Sequence, residues 1–299
     1  MSENSSAPPE DAPLLLETFR ATISPVTAES LPHLHELAVS VFWPHRGRDI
    51  ELFLELGQGY IAHDEIGRAM GSAMYFPMGE DFAMLGMMIV TPRLQGNGAG
   101  RRLLERVLKD CEGRDLRITA TLATRAFYAS AGMEPVCNIA QHQGFASAVA
   151  APKPVPGLLV RPLEAGDLDV IRQLDTAAYG ADRTVALDAL LRRSEGLVAV
   201  RDGEILGFAL KRPFGRGVVI GPLVAEDDAM AEQLAAPLIH ASEGAFVRVD
   251  APVAHEAFRA LLSAANLAVY DTVTEMRRGP ARRATTGAQV YGLATHSLG

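Results

Sequence analysis

The fold of this chain is decided by residues 90–104, which read Val-Thr-Pro-Arg-Leu-Gln-Gly-Asn-Gly-Ala-Gly-Arg-Arg-Leu-Leu. The pattern predicts a buried strand, a glycine loop and the start of a helix in immediate succession. Three alternating glycines let successive backbone N–H groups turn toward one anion, and a helix that opens near Ala99 adds the positive end of its dipole. The stretch therefore predicts a phosphate-binding loop, with the positive charges of Arg101 and Arg102 beside it.

The spacing of the glycines separates this loop from two other phosphate-binding motifs. A Walker loop ends in Gly-Lys-Ser/Thr, whereas this loop ends in Gly100-Arg101-Arg102. A dinucleotide fingerprint needs G-x-G-x-x-G, but counted from Gly96 the third glycine falls one place early. A plain glycine turn between a core strand and a core helix stays open as the alternative.

Residues 90–100 resemble the acyl-CoA loop of the GNAT acetyltransferase superfamily, whose pattern is hydrophobic-x-Pro-x-x-Gln/Arg-Gly-x-Gly-x-Gly/Ala. Residues 126–133 (Ala-Phe-Tyr-Ala-Ser-Ala-Gly-Met) resemble that family's second signature, an aromatic-Tyr-x-x-x-Gly-hydrophobic turn after the cofactor helix and the next strand. The resemblance implies acetyl-CoA, or another acyl-CoA, as co-substrate. The residues it implies for binding, partly through the backbone of the strand before the loop, are Met88, Ile89, Val90, Gln95, Gly96, Asn97, Gly98, Ala99, Gly100 and Arg101.

The resemblance gives Tyr128 a catalytic role, because the family's tyrosine hydroxyl lies beside the CoA sulfur and can protonate the leaving thiolate. A core tyrosine with a satisfied hydroxyl is the alternative. No general base stands out, since residues 82–90 contain no carboxylate. Glu80 and Asp81 have the position of turn residues, and a lone histidine such as His142 is usually structural. Deprotonation of the acceptor through ordered water stays as open as any named residue.

The acceptor site is expected between the first helical region and the sheet, in the loop that contains the only tryptophan of the sequence. Trp43, His45 and Arg46 could together bind a planar or anionic acceptor, because indole offers area and a guanidinium offers a fork for carboxylates. A surface loop anchored by one buried tryptophan is the equal alternative.

The composition excludes several classes of protein. The chain has 299 residues with a formal net charge of −8, and no basic run points to nucleic acid. Its two cysteines and unclustered histidines argue against a disulfide framework or a metal site, which favours a reducing cytoplasm. The first thirteen residues do not resemble a signal peptide, and no apolar run is long enough to span a bilayer. A soluble, cytoplasmic protein without a membrane partner is expected.

The two halves of the chain resemble each other. Gly59-Tyr60-Ile61-Ala62 recurs as Gly196-Leu197-Val198-Ala199, and Leu85-Gly86 recurs as Ile220-Gly221, at shifts of 137 and 135 residues. The sequence therefore predicts an α/β fold with two GNAT-like domains, each a twisted mixed sheet flanked by helices. The predicted division is a disordered segment 1–16, an acyltransferase domain 17–150, a proline-rich linker 151–157, a second domain 158–279 and a tail 280–299.

The periodicity of the first half gives its expected elements. Helices are predicted near 28–42, 49–56, 98–112 and 126–131, and strands near 19–23, 60–63, 69–76, 82–90 and 116–121. Further strands near Val136 and Phe145 are expected to close the first domain. The tail is expected to be poorly ordered or to form a small terminal strand.

The second half lacks the residues that carry the chemistry. Residues 227–235 stand where the phosphate loop should recur, but they contain three carboxylates and no glycine, and Leu262 replaces the tyrosine. This domain is expected to be degenerate, with a role in completing the acceptor pocket or in assembly, including a homodimer.

The prediction is an acetyl-CoA-dependent N-acetyltransferase that transfers acetyl directly to an amine of a small molecule or peptide. A non-catalytic acyl-CoA-binding or sensing protein is the alternative, and a nicotinamide-binding enzyme is a distant third.

Overall fold

The computed structural model of the protein describes residues 14–16 and 19–299. Its helices are α1 (Leu31–Ser40), α2 (Gly47–Leu56), α3 (Ala99–Asp110), α4 (Arg125–Ala129), α5 (Leu168–Tyr179), α6 (Thr184–Leu191), α7 (Asp228–His240) and α8 (Glu256–Ala264). Its strands are β1 (Leu14–Leu16), β2 (Phe19–Pro25), β3 (Gln58–His63), β4 (Ala69–Met78), β5 (Phe82–Val90), β6 (Asp115–Ala120), β7 (Glu134–Phe145), β8 (Leu158–Pro162), β9 (Glu195–Arg201), β10 (Glu204–Phe214), β11 (Gly217–Ala225), β12 (Phe246–Pro252), β13 (Ala268–Arg278) and β14 (Gln289–Gly292).

The chain divides into two compact units that do not coincide with its two halves. The first unit contains residues 1–75 and 87–112, and the second contains residues 76–86 and 113–299. The N-terminal segment was expected to lack structure over residues 1–16, but residues 14–16 form β1, which pairs with β2. Residues 1–13 lie outside the described part of the chain.

The first unit contains an antiparallel β2–β3–β4 arrangement with helices α1, α2 and α3. Helix α3 is amphipathic, and its buried residues include Leu103, Leu104 and Val107. A side chain at Gly71 of β4 would meet the backbone of Ile89 and the side chain of Leu103, so only glycine allows this close approach. The predicted helices and strands of this part lie within a few residues of the observed ones.

The second half repeats the element order of the first, as the sequence predicted. Strands β9, β10 and β11 are antiparallel neighbours, and β11 begins as a parallel neighbour of β12. Helix α7 follows β11 as α3 follows β5, and α8 follows β12 as α4 follows β6. The prediction of an α/β fold with mixed sheets is therefore confirmed. Residues 146–157, which include the predicted linker, carry neither helix nor strand in the described chain.

The end of each half inserts into the sheet of the other half. Strand β7 lies between β12 and β13, and β13 lies between β6 and β7. The prediction of separate strands near Val136 and Phe145 that close the first domain is therefore wrong. Residues 134–145 form one continuous strand, because their backbone groups pair along both edges with strands of the second half.

The tail forms a strand instead of a poorly ordered end. Strand β14 pairs with β11, and Leu298 near the end of the sequence is fully buried. Arg183 donates hydrogen bonds to the carbonyl oxygens of Leu298 and Gly299 at 3.0 and 2.6 Å. Among the described helices, none has the length and apolar character needed to cross a membrane.

Candidate active site

The predicted phosphate loop connects β5 to α3 in the first unit. Gly96 and Gly98 both adopt left-handed backbone conformations, with φ of +88° and +80°. This is the region that favours glycine, and nothing lies within 4 Å of the position of a Cβ atom at either residue. Their N–H groups, and that of Asn97, have no backbone acceptor among the described residues. The loop therefore exposes three successive backbone N–H groups that have no backbone partner in the described part of the chain.

Two interactions hold the ends of this loop. The side-chain amide of Gln95 donates a hydrogen bond to the carbonyl oxygen of Val90 at 3.0 Å, and the N–H of Thr91 donates to the carbonyl oxygen of Met70. Helix α3 begins at Ala99, and Gly98 is the N-cap of this helix. The first N–H groups of a helix have no intrahelical acceptor, so they extend the set of donors contributed by the loop.

The strand before the loop has an irregular backbone at Met87. This residue has φ of +48°, which is unusual for a residue with a side chain. The hydroxyl of Ser72 is fully buried and donates a hydrogen bond to the carbonyl oxygen of Met87 at 2.7 Å. Beyond Met87, Met88 and Val90 are half-buried whereas Ile89 is buried. Ser72 could not be found from the sequence, because a single serine in a largely apolar strand forms no motif.

Tyr128 lies on α4 and belongs to the second compact unit. Its side chain is 4% exposed, and its ring packs edge-on against Phe127 at 5.1 Å between centroids. Burial raises the pKa of the phenol well above its ordinary value, because the charged form loses hydration. The hydroxyl is therefore protonated at neutral pH. A general acid requires this state, and a tyrosine with a purely structural role in the core has it as well.

The three residues predicted for acceptor binding lie together in the first unit, between α1 and α2. The rings of Trp43 and His45 are 5.6 Å apart, and His45 packs against Phe53 at 5.4 Å. Trp43 and His45 are half-buried, whereas Arg46 is exposed and precedes α2. The N–H of Arg46 donates to the buried carboxylate of Asp49 at 2.8 Å, which fixes the start of α2.

Two of the residues considered as general bases, Asp81 and His142, have structural partners. The carboxylate of Asp81 accepts a hydrogen bond from Arg282 at 2.8 Å, and this bond lowers the pKa of Asp81. His142 is fully buried, and its Nδ1 lies 2.9 Å from the carbonyl oxygen of Leu267. Burial lowers the pKa of His142, and Arg259 donates to its Nε2 at 3.3 Å, so the ring is neutral with its proton on Nδ1. Both residues are occupied in holding the fold.

In the second half, the position of the phosphate loop is taken by the start of α7. Asp227 is the N-cap of this helix, and its carboxylate accepts a hydrogen bond from the N–H of Met230 at 2.8 Å. Asp228 and Glu232 add two further carboxylates in the first turns. Leu262, at the position of Tyr128, is fully buried in the core.

Comparison with known families matches both halves of the chain to GNAT domains. Residues 28–133 match a model described as the acetyltransferase (GNAT) family, and residues 171–292 match one described as an acetyltransferase (GNAT) domain. The uncharacterized N-acetyltransferase YitH from Bacillus subtilis (strain 168) is 24% identical over 231 residues, which is 76% of this chain and 80% of that protein.

Solved structures share the fold of this chain over most or all of its length. The crystal structure of "A Putative Acetyltransferase" from Pyrococcus horikoshii matches 100% of this chain and 99% of that one, with a TM-score of 0.75 and 18% identity. A tandem GNAT protein from the clavulanic acid biosynthesis pathway matches 87% of this chain and 99% of that one, with a TM-score of 0.63 and 17% identity. The two family-model matches, which together cover most of the sequence, show that the chain belongs to the GNAT superfamily and carries two GNAT domains in tandem.

Proposed function

We propose that the first half of this chain is an acetyl-CoA-dependent N-acetyltransferase that transfers acetyl directly to an amine. The observation that carries this proposal is the loop of residues 95–100. Gly96 and Gly98 are left-handed with open space at their Cβ positions, the N–H groups of residues 96–98 have no backbone acceptor among the described residues, and α3 starts immediately after the loop. A pyrophosphate fits such a site, because several N–H donors and the helix dipole act on one anion.

The chemistry needs three groups besides the cofactor loop. The acceptor nitrogen attacks the thioester carbonyl carbon, the C–S bond breaks, and the CoA thiolate takes up a proton. We assign the proton donor to Tyr128, because a tyrosine hydroxyl is protonated at neutral pH and the second family signature contains this residue. We assign the carbonyl oxygen of the acyl group to backbone N–H donors after Met87, a segment that the hydrogen bond from Ser72 holds. We propose ordered water as the acceptor of the amine proton, because residues 82–90 contain no carboxylate and both Asp81 and His142 have structural partners.

The loop between α1 and α2 supports a proposal for the class of acceptor. We propose that the half-buried rings of Trp43 and His45 contact an apolar part of the acceptor, while the exposed Arg46 offers a fork for an anionic group. A small molecule or peptide that carries both an amine and a carboxylate fits this combination.

One observation favours a second candidate, a protein that binds acyl-CoA without catalysis. Residues 82–90 contain no carboxylate, and the nearby Asp81 is held by Arg282. The binding loop is therefore better supported than any group that could activate an acceptor.

The first experiment is a calorimetric titration of the purified chain with CoA, acetyl-CoA and NAD. We expect one CoA per chain and no binding of NAD. The variant Gly98→Glu should abolish binding, because a side chain and a negative charge then enter the anion site. Gly113→Glu is a matched control, since Gly113 has φ of +82° and the same open surroundings but lies outside the loop. Equal affinity of the two variants would refute the site.

A second experiment separates catalysis from sensing. The chain is incubated with acetyl-CoA and a panel of amines, and the released thiol is measured. Amine-dependent release of CoA supports the transferase, whereas tight binding of acetyl-CoA without release for any amine supports the sensor.

A further inference from the structure

A groove in the second half is filled by the tail of the chain. Strands β11 and β12 pair only at Val218–Val247 and Val219–Arg248, and β14 then pairs with β11. The opposite edge of β11 is already taken, because Val224 faces Phe208 of β10 on that side. Strand β14 therefore lies on the edge that faces β12. The N–H of Leu293 donates to the carbonyl oxygen of Asp250 in β12 at 2.9 Å, so the tail joins both strands.

The backbone groups that the tail occupies correspond to the expected cofactor contacts of the first half. Strand β11 repeats β5 at a shift of 135 residues, as Leu85-Gly86 and Ile220-Gly221 show. The same shift carries Met88, Ile89 and Val90 onto Leu223, Val224 and Ala225. These are the residues of β11 whose partners are Gly292, Val290 and Gln289 of β14.

The tail is packed as tightly as the protein core. Val290 and Tyr291 are 4% and 3% exposed, and Leu293 is fully buried. The ring of Tyr291 stacks on His255 at 3.8 Å between centroids. A side chain at Gly221 would overlap the carbonyl oxygen of Leu293, so this glycine permits the close approach of the tail. Such complementarity is that of a formed binding site and not of a loosely covering segment.

The charge around the groove favours a neutral occupant. Asp227 and Asp228 stand at the start of α7, which is where the first half has its glycine loop. Burial raises the pKa of Tyr291, and the neighbouring Asp228 and Asp227 raise it further, so the phenol stays neutral there. A pyrophosphate at this end would meet two like charges.

We propose that the groove between β11 and β12 is a binding site for an extended peptide, filled in this chain by residues 289–293 in place of a pantetheine arm. Backbone pairing with β11 supplies the affinity, and the pockets for Val290 and Tyr291 supply the specificity. The proposal is independent of acyl transfer by the first half, since its readout is peptide binding.

The test displaces the tail from the intact chain and offers the groove a peptide. The variant Val290→Asp places a charge in the buried position and should expel the tail, whereas Gln289→Asp alters the half-buried neighbour and should leave the tail bound. A fluorescent peptide of residues 287–299 is then titrated and followed by anisotropy. We expect saturable binding to Val290→Asp, and at least about 100-fold weaker binding to the wild-type and Gln289→Asp chains, whose grooves are filled.

Specificity for the groove is tested with a peptide that itself carries Val290→Asp. This peptide should not bind the Val290→Asp chain. The proposal is overturned if both peptides bind alike, or if the wild-type peptide binds none of the folded chains.

Amide hydrogen exchange of the wild-type chain gives a test that needs no variant. The amides of residues 290–293 should exchange at least about 100-fold more slowly than unstructured peptide, because the N–H of Leu293 is bonded to β12. Exchange at the unstructured rate would show that the tail does not occupy the groove, even if Val290→Asp fails to fold.

Discussion

Strand β13 of the second half lies between β6 and β7 of the first half, and its buried Glu275 is expected to hold it there. Replacing this carboxylate tests how much it contributes to stability. Its Oε1 lies 3.3 Å from Nε of Arg117 on β6, and it accepts a hydrogen bond from Nε of Arg283 at 3.0 Å. The carboxylate is fully buried, and the two guanidinium groups are 5% and 14% exposed. The substitution Glu275→Gln keeps the shape of the side chain but removes the negative charge that both cations share.

The expected cost follows from this burial. Removing one partner of a buried ion pair costs about 3–5 kcal/mol, because the remaining charge stays in the interior without compensation. The cost should lie toward the upper end here, since two cations lose their partner together. Their NH1 atoms already have no hydrogen-bond partner among the described residues. With about 2–4 °C per kcal/mol for a domain of ordinary size, Tm should fall by roughly 6–20 °C.

The assay is thermal and urea unfolding of both chains, followed by circular dichroism. The matched control is Glu134→Gln, which removes a carboxylate of the neighbouring strand β7. This carboxylate is 75% exposed and lies 3.8 Å from Arg277 of β13. A surface pair of this kind is worth about 0–1 kcal/mol. If Glu275→Gln shifts Tm no more than Glu134→Gln does, the buried network does not hold β13.

The pH dependence supplies a second readout of the same residue. Burial alone raises the pKa of Glu275, but the attraction of Arg283 and Arg117 outweighs burial, and the pKa is lowered. A carboxylate with a lowered folded-state pKa stabilises the protein above its unfolded pKa of about 4.3, and loses this effect as pH falls through the folded-state value. The stability difference between wild type and Glu275→Gln should therefore be constant near neutral pH and shrink in acid.

Two further predictions concern the proposed proton donor Tyr128 and the pairing of strands β6, β7 and β13 between the two halves of the chain. Tyr128→Phe should lower kcat by roughly ten- to a thousand-fold with unchanged CoA affinity, because it removes the proton donor and no binding contact. Wild-type turnover of this variant would show that Tyr128 is only a structural residue of the core. A fragment of residues 1–150 should show no cooperative thermal transition, because β6 and β7 lack the strand that lies between them; a sharp transition in calorimetry would show that the first half folds alone.

The local elements of the first half could be predicted from the sequence because each has its own periodicity. Strand β5 was predicted at its observed limits of Phe82 and Val90, and α3 was predicted within two residues at each end. The glycine loop has a signature of its own, so the left-handed turn before α3 could be predicted from residue types and spacing, and phosphate binding there stays a prediction. What these features share is that neighbours along the chain decide them.

The pairing of strands could not be predicted in the same way. The residues of β7 favour a strand whether they close the first domain or pair with the second half. Nothing in the residue types near Val136 or Phe145 indicates which strand lies beside them. The partner is chosen by the β12 and β13 edges, which the sequence places more than 100 residues away. The tail was similarly undetermined, because β14 has only four residues and its burial depends on a groove that distant strands form.

The exchange of strands gives a physical reason for a second domain without a phosphate loop. In the second unit β6 pairs in parallel with β5 over Phe82–Leu85, and its other edge is covered by β13. If the second domain were removed, that edge of β6 and both edges of β7 would expose unpaired N–H and C=O groups. The second domain can therefore lack a glycine loop at residues 227–235 and still be needed by the first half. The second domain cannot lose β13, because this strand pairs with both β6 and β7 and so joins the β5–β6 pair of the first half to β7.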